Sequence, residues 1–97
     1  MLLKPGVDIS RLKPEIRKKL KATDDIINTV GESELVITST HEGTHGAGSL
    51  HYADLAIDIR RPPNAATVCD QLKERLGVNY DVVLEDTHIH IEYDPET

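Results

Sequence analysis

The amino-acid sequence predicts a small α+β domain in which two helices pack on a mainly antiparallel sheet, in the order α-β-β-α-β-β. Three observations support this fold class. Two segments carry apolar residues at the spacing of a helix face, short β-branched or alternating segments lie around them, and the chain closes with two alternating segments only two residues apart. A chain of 97 residues has the length of one domain, so residues 1–97 are expected to form a single unit.

The first helix is predicted over residues 12–30, where apolar side chains recur along one face. These side chains are Ile16, Leu20, Ala22, Ile26, Ile27 and Val30. Pro14 suits the first turn of such a helix, and Gly31 suits its end. The β-branched segment 34–40 that follows predicts a strand with a buried middle. Residues 1–10 are expected to be loose.

The middle of the chain predicts a loop, a strand and a second helix. Residues 41–50 contain three glycines and few apolar side chains, which predicts a loop whose backbone can approach a ligand closely. Residues 55–60 alternate between apolar and other side chains, as a strand does. Asn64 is a candidate N-cap for the second helix, and Gly77 suits its end. The apolar stripe of that helix comprises Val68, Leu72 and Leu76.

The last two segments, residues 80–85 and 88–93, predict a β-hairpin because only two residues separate them. Pairing across that turn sorts the side chains into an apolar and a polar face. The apolar face comprises Tyr80, Val82, Leu84, Ile89, Ile91 and Tyr93. The other face comprises Asp81, Val83, Glu85, His88, His90 and Glu92. A shift of one residue would mix the two faces, and this predicts the register.

The composition argues against several classes of function. With 17 acidic against 11 basic residues and no Phe or Trp, the chain lacks the positive surface and the aromatic rings that bind nucleic acid. No segment is apolar over the ~18 to 20 residues that cross a bilayer, so membrane insertion is not expected. The N-terminus lacks the pattern of a secretory signal, which predicts a protein that is cytoplasmic as synthesised. The single Cys69 leaves nitrogen and oxygen as the donors for any metal.

Five histidines in a chain without Phe or Trp are the unusual feature of the composition. Asp58 lies on the polar side of its predicted strand beside the small Ala56, and His51 lies seven residues before it. His88 and His90 project from one side of the last strand. Imidazole and carboxylate groups brought together from different strands are donors that zinc prefers. The sequence therefore predicts a site for one Zn2+ ion among these residues.

Ordinary surface roles offer an alternative interpretation for some of these residues. His41 and His45, in the glycine-rich loop, are interpreted as solvated side chains without a metal role. His88 and His90 are two residues apart on a polar strand face, which half-exposed surface histidines also show. Asp58 is harder to explain in this way, because an unpaired carboxylate in an apolar strand is costly.

Residues 49–58, SLHYADLAID, resemble the S-x-H-x-x-G-x-A-x-D signature of the zinc D-alanyl-D-alanine carboxypeptidase family. Residues 88–90 resemble its closing H-x-H. The same superfamily contains peptidoglycan endopeptidases of bacteriophage and the zinc-bearing signalling domain of Hedgehog. The resemblance covers most of the chain, and it is strongest to short phage and prophage members that have no signal. It implies an α+β domain with helices packed on an antiparallel sheet.

The resemblance implies a zinc-dependent peptidase that hydrolyses peptide bonds in the stem peptides of bacterial peptidoglycan. Its zinc ligands would be His51, Asp58 and His90. His88 would assist by bonding the substrate or the developing oxyanion, and Ser49 would support the site through hydrogen bonds. Peptidoglycan would be the partner, reached after lysis or from a virion because no signal is recognised.

Glu85 is the candidate general base, because the predicted hairpin places it opposite His88 and diagonal to His90. An exposed carboxylate beside a turn is the alternative interpretation. Members of the family usually carry an acid three residues before the ligand histidine, where this chain has Thr87, and threonine cannot serve as a base. Glu85 also forms a Glu-x-x-His with His88, so His88 as ligand with His90 as helper stays open.

Two further departures concern the signature and the substrate. Asp54 stands where the signature has glycine. Residues 38–48 lack the arginine with which many relatives hold the substrate carboxylate, and His41, His45 or Arg60 are candidates to replace it. These departures support a second hypothesis, in which the chain is a catalytically reduced zinc-binding module, structural or peptide-binding, that is carried in a virion.

Overall fold

The computed structural model of the chain describes residues 1–41 and 54–95. Its strands within these ranges are β1 (Leu2–Leu3), β2 (Val36–Ser39), β3 (Ala56–Arg60), β4 (Tyr80–Leu84) and β5 (His88–Tyr93). Its helices are α1 (Pro14–Arg17), α2 (Leu20–Thr29) and α3 (Ala65–Leu76). None of these helices is long and apolar enough to cross a membrane. The predicted α+β class is confirmed.

The described strands form one mixed sheet in the order β1-β2-β3-β5-β4. β1 runs parallel to β2, whereas every other neighbouring pair is antiparallel. The chain therefore begins with a strand that the predicted order α-β-β-α-β-β omits. Leu2 N donates to Leu35 O at 2.8 Å and Lys4 N to Ile37 O at 2.9 Å, so the expected loose start is wrong for these residues. A two-residue strand has no side-chain alternation by which a sequence could indicate it.

The helix predicted over residues 12–30 is two helices, α1 and α2. Between them, Lys19 N donates to Ile16 O at 3.0 Å, three residues back in the chain, which is tighter than an α-helical turn. The apolar face nevertheless continues past this interruption, because Ile16, Ile26 and Ile27 are all buried. The spacing of apolar residues thus predicted the buried face correctly, but it carried no information about the break.

Two residues predicted at helix ends hold α2 against α3. Asn64 precedes α3 as predicted, but its side chain forms no cap. Its Nδ2 instead donates to Val30 O at 2.7 Å, next to the end of α2. At Gly31 a Cβ atom would lie 2.6 Å from Ile27 O and 3.3 Å from a methyl group of Val68. Glycine is therefore required at this position chiefly because a Cβ atom would collide with the Ile27 carbonyl oxygen of α2 itself.

The hairpin register predicted for β4 and β5 is confirmed. Tyr80 lies opposite Tyr93, and Leu84 lies opposite Ile89. The two tyrosine rings are 5.3 Å apart between centroids. The Tyr80 hydroxyl donates to Glu15 O at 2.6 Å and so connects the hairpin to α1.

The core consists mainly of branched aliphatic side chains. Seven isoleucines among the described residues are less than 2% exposed: Ile16, Ile27, Ile37, Ile57, Ile59, Ile89 and Ile91. They pack between the helices and one face of the sheet, together with Val68, Leu72 and Leu76 of α3. The absence of Phe and Trp therefore does not leave the domain without a core, and the other face of the sheet is available to polar side chains of β3 and β5.

Candidate metal centre

Strands β3 and β5 lie side by side and bring a carboxylate opposite an imidazole. Asp58 pairs directly with His90, and Arg60 pairs with His88. Directly opposed residues of two neighbouring antiparallel strands project their side chains to the same face. That face is the one turned away from the isoleucine core, so the predicted polar face is confirmed and Asp58 belongs to it.

The β3–β5 cluster, which comprises Asp58, His88 and His90, converges on a single oxygen atom. His90 Nδ1 lies 3.0 Å from Asp58 Oδ1. His88 Nε2 lies 3.7 Å from the same oxygen. Two donors of a tetrahedral zinc, each bonded at about 2.0 to 2.2 Å, lie roughly 3.3 to 3.6 Å apart. The two separations fall just below and just above that range, and carboxylate with imidazole is a donor set that suits zinc.

The second nitrogen of each imidazole has its own partner. His88 Nδ1 lies 3.0 Å from the hydroxyl of Thr87. His90 Nε2 lies 2.6 Å from Oε1 of Glu92. Each ring is thus held at one nitrogen by a neighbouring side chain while its other nitrogen is directed to Asp58.

The pKa of His90 is raised above its ordinary value. The largest cause is the hydrogen bond with Asp58, and the bond with Glu92 acts in the same direction, whereas burial opposes both. The side chains of Asp58 and His90 are only 12% and 18% exposed, so water competes weakly for their contact. Protons therefore compete with a metal for His90 more strongly than they would at an ordinary histidine.

Glu85 joins this region through its main chain. Its N–H donates to His88 O at 2.9 Å, which extends the hairpin pairing by one bond. Its carbonyl accepts a hydrogen bond from Arg61 Nη1 at 3.0 Å. The residue itself is exposed. The role of the Glu85 carboxylate as a general base therefore stays a prediction.

Three residues with sequence-based predictions lie outside the described ranges. They are His45, Ser49 and His51. Of the three zinc ligands that the family resemblance implies, the structure describes Asp58 and His90 and brings them into contact. His88, for which an assisting role was expected, lies in the same cluster.

A second group of titratable side chains lies just before β3. Asp54 is only 8% exposed. Its Oδ2 lies 3.5 Å from Arg11 Nη2, and its Oδ1 lies 4.0 Å from His41 Nδ1. Asp54 has a φ of 62°, in the left-handed region. The sequence shows that Asp54 departs from the glycine of the family signature. Its contact with Arg11 joins distant parts of the chain, and no local pattern predicts that contact.

A group of acidic side chains lies along the same hairpin. Within the described part of the chain, Asp81, Glu92 and Asp94 have carboxylate oxygens within 4.8 Å of one another and could hold a metal ion. Asp81 and Asp94 are exposed, and Glu92 is the member that also contacts His90. The hairpin pattern placed Asp81 and Glu92 on the polar face, but it did not indicate that Glu92 bonds the imidazole two residues away.

Comparisons of the chain with protein-family models, with curated proteins and with solved structures found no match. What the residues define is an α+β domain with one carboxylate and two imidazoles converging on the sheet face opposite the core. The function is therefore argued from this cluster and its neighbours.

Proposed function

We propose that this chain is a zinc-dependent peptidase that hydrolyses peptide bonds in the stem peptides of bacterial peptidoglycan. The proposal includes membership of the zinc D-alanyl-D-alanine carboxypeptidase superfamily and its fold. The observation that carries it is the convergence of His90 Nδ1 and His88 Nε2, at 3.0 Å and 3.7 Å, on Asp58 Oδ1. These are the final Asp of one motif and both histidines of the other.

Asp54 gives a second line of support, because it stands where the family signature has glycine. Its φ of 62° belongs to the left-handed region, which glycine adopts without steric cost. Aspartate is one of the few other residues that enter this region with some frequency. The departure from the signature thus keeps the backbone conformation for which a glycine would be selected.

In the proposed reaction, His51, Asp58 and His90 would hold the zinc. When bound, zinc would supply a water of lowered pKa and would polarise the scissile carbonyl. Glu85 would act as the general base and would return the proton to the leaving amine. His88 would donate a hydrogen bond from Nε2 to the developing oxyanion, with its ring held at Nδ1 by the Thr87 hydroxyl at 3.0 Å.

The test is to incubate the zinc-loaded protein with purified peptidoglycan or synthetic stem peptides and to follow new amino groups. We expect release from the unaltered chain, and none above background from Asp58→Asn. The matched control is Asp70→Asn, because Asp70 is an exposed aspartate on α3. Equal background in all three proteins would overturn the proposal.

The base is tested separately by Glu85→Gln, with Glu74→Gln as control because both glutamates are exposed. We expect Glu85→Gln to keep zinc affinity and to lose turnover by about 100-fold or more, the usual contribution of a general base. Glu74→Gln should keep both properties. Undiminished turnover in Glu85→Gln would remove Glu85 from the mechanism.

A second candidate is a catalytically reduced zinc-binding module. It is favoured by Thr87, which stands where relatives carry the acid and which contacts His88 through its hydroxyl at 3.0 Å. In that case metal binding would chiefly stabilise the fold. Chelation that unfolds the protein, together with intact stem peptides after prolonged incubation, would favour this candidate over the peptidase.

A further inference from the structure

Glu92 contacts His90 of the β3–β5 cluster, but neither motif of the family resemblance includes it. It lies on β5, where its backbone pairs with Ala56 on one side and Asp81 on the other. Its Oε1 is 2.6 Å from His90 Nε2. We propose that Glu92 is a positioning residue that selects His90 over His88 as the metal ligand and presents Nδ1 of His90 to the ion. This inference rests on the proposed zinc site.

The argument begins with the two nitrogens of His90. Nδ1 faces Asp58 Oδ1 at 3.0 Å, and Nε2 faces Glu92 Oε1 at 2.6 Å. A neutral imidazole carries one N–H, and an ionised carboxylate can only accept a hydrogen bond. When Glu92 accepts the bond from Nε2–H, the lone pair of the neutral ring is left on Nδ1, which is the nitrogen beside Asp58.

His88 offers an internal comparison, because its outer nitrogen has a different kind of partner. Nδ1 of His88 lies 3.0 Å from the hydroxyl of Thr87. A hydroxyl both donates and accepts, so it does not fix which nitrogen of His88 carries the proton. Metal-binding histidines usually donate their other N–H to a carboxylate or a carbonyl, which also increases the basicity of the ligand nitrogen. Of the two imidazoles, His90 has such a partner in Glu92.

The surroundings of the His90–Glu92 pair favour a persistent bond. The two side chains are 18% and 21% exposed, so the contact is partly screened from water. The two residues are separated by one residue of the same strand, so they share a face without any loop closure. His90 also lies closer to Asp58 than His88 does, at 3.0 Å against 3.7 Å.

The test compares zinc affinity in Glu92→Gln and Asp94→Asn. Both substitutions remove one negative charge from the same acidic group and change the side-chain volume little. We expect Glu92→Gln to weaken zinc binding by about 10- to 100-fold, the usual effect of removing an outer partner of a ligand histidine. Asp94→Asn should change it less than about fivefold, because the ion is proposed to lie at His90 and not among the carboxylates of Asp81, Glu92 and Asp94. Affinity is measured by competition with a chromophoric chelator.

A second readout identifies the nitrogen that binds the metal. In the zinc-loaded unaltered protein, 15N chemical shifts of His90 should show Nδ1 bound to the metal and a protonated Nε2 that is protected from exchange. Glu92→Gln should lose that protection or show a mixture of the two ring states. Thermal unfolding of the metal-free variants checks that each one folds. If Glu92→Gln does not fold, Glu92→Asp takes its place, because it shortens the side chain by one methylene and so withdraws the carboxylate from His90.

The outcomes separate this inference from the proposed function. Equal zinc affinity in Glu92→Gln and Asp94→Asn, or a metal on Nε2 of His90, would overturn the role of Glu92 and leave the zinc site in place. Zinc binding that depends on Glu92 in a protein without peptidase activity would support the role of Glu92 and overturn the proposed reaction. No zinc binding by the unaltered protein would overturn both.

Discussion

Two buried aspartates, Asp54 just before β3 and Asp58 within it, differ in the chemistry of their partners. They are 8% and 9% exposed. Among the described residues, Asp54 has a charged partner in Arg11 at 3.5 Å, a guanidinium that stays protonated and has no lone pair for a metal. Asp58 contacts two imidazoles, each of which can release a proton and bind an ion. Burial of a carboxylate therefore does not by itself indicate a metal site, and the partners decide which kind of site it is.

The largest expected effect comes from removing one carboxylate at a time. We expect Asp58→Asn to weaken zinc binding by more than about 100-fold, because it removes a residue that binds the ion directly. The loss of a residue that only hydrogen-bonds to a ligand already costs up to about 100-fold. Asp54→Asn should leave zinc affinity within about fivefold, since its partners are a guanidinium and a histidine outside the cluster. Isothermal calorimetry on both variants measures the difference. Equal losses would mean that the two aspartates serve one site.

The next expected effect is a pH dependence of zinc affinity. It should come from the contact of His90 with Asp58, and removing the charge of Asp54 should not alter it. The contact with Asp58 raises the pKa of His90 above the ordinary value of 6.5. Protons therefore begin to compete with zinc for His90 at a pH above 6.5, and they compete more strongly as the pH falls. We expect zinc affinity to fall as the pH falls, by up to about tenfold per unit once His90 is protonated. Asp54→Asn should show the same profile. A zinc affinity that is flat between pH 8 and pH 5 would contradict this.

The metal-free protein should respond to pH in the opposite sense. A raised pKa in the folded state means that protonated His90 stabilises the fold below the unfolded pKa, and this contribution is lost as the pH rises through the folded pKa. The terminal amino group of Met1, whose pKa Glu34 raises, acts in the same sense at higher pH. The difference between the unaltered protein and Asp58→Asn in urea unfolding at each pH cancels the contribution of Met1, which both proteins share, and leaves that of Asp58 and its two histidine contacts.

The same comparison shows what the sequence could and could not predict. The β4–β5 register was predictable because alternating side chains on both strands agree with one pairing. Placing His90 on the polar face followed from that register, and so did placing Glu92 there. Their 2.6 Å contact was not predictable, because it depends on the rotamers that both side chains adopt. The contact between Arg11 and Asp54 was not predictable either, since it joins two segments that are distant in the chain.

The helical region shows the same limit in the backbone. The apolar spacing predicted that Ile16 and Ile27 are buried, and both are 1% exposed. It did not predict the interruption at Lys18 and Lys19, because lysine has a good helix propensity and neither residue indicates the tighter turn found there. Patterns of side chains thus indicate which face is buried more reliably than they indicate where an element stops.

The smallest effect concerns the backbone at Asp54, and it separates the conformation of this residue from its charge. Asp54→Gly and Asp54→Ala both remove the contact with Arg11, whose side chain is 57% exposed, so that loss is small and equal in the two variants. They differ in the left-handed φ of 62°, which glycine adopts freely and alanine resists. We expect Asp54→Ala to be less stable than Asp54→Gly by about 1 kcal/mol in urea unfolding of the metal-free protein. Equal stability would mean that no left-handed residue is needed before β3, and the match between Asp54 and the glycine of the family signature would lose its structural basis.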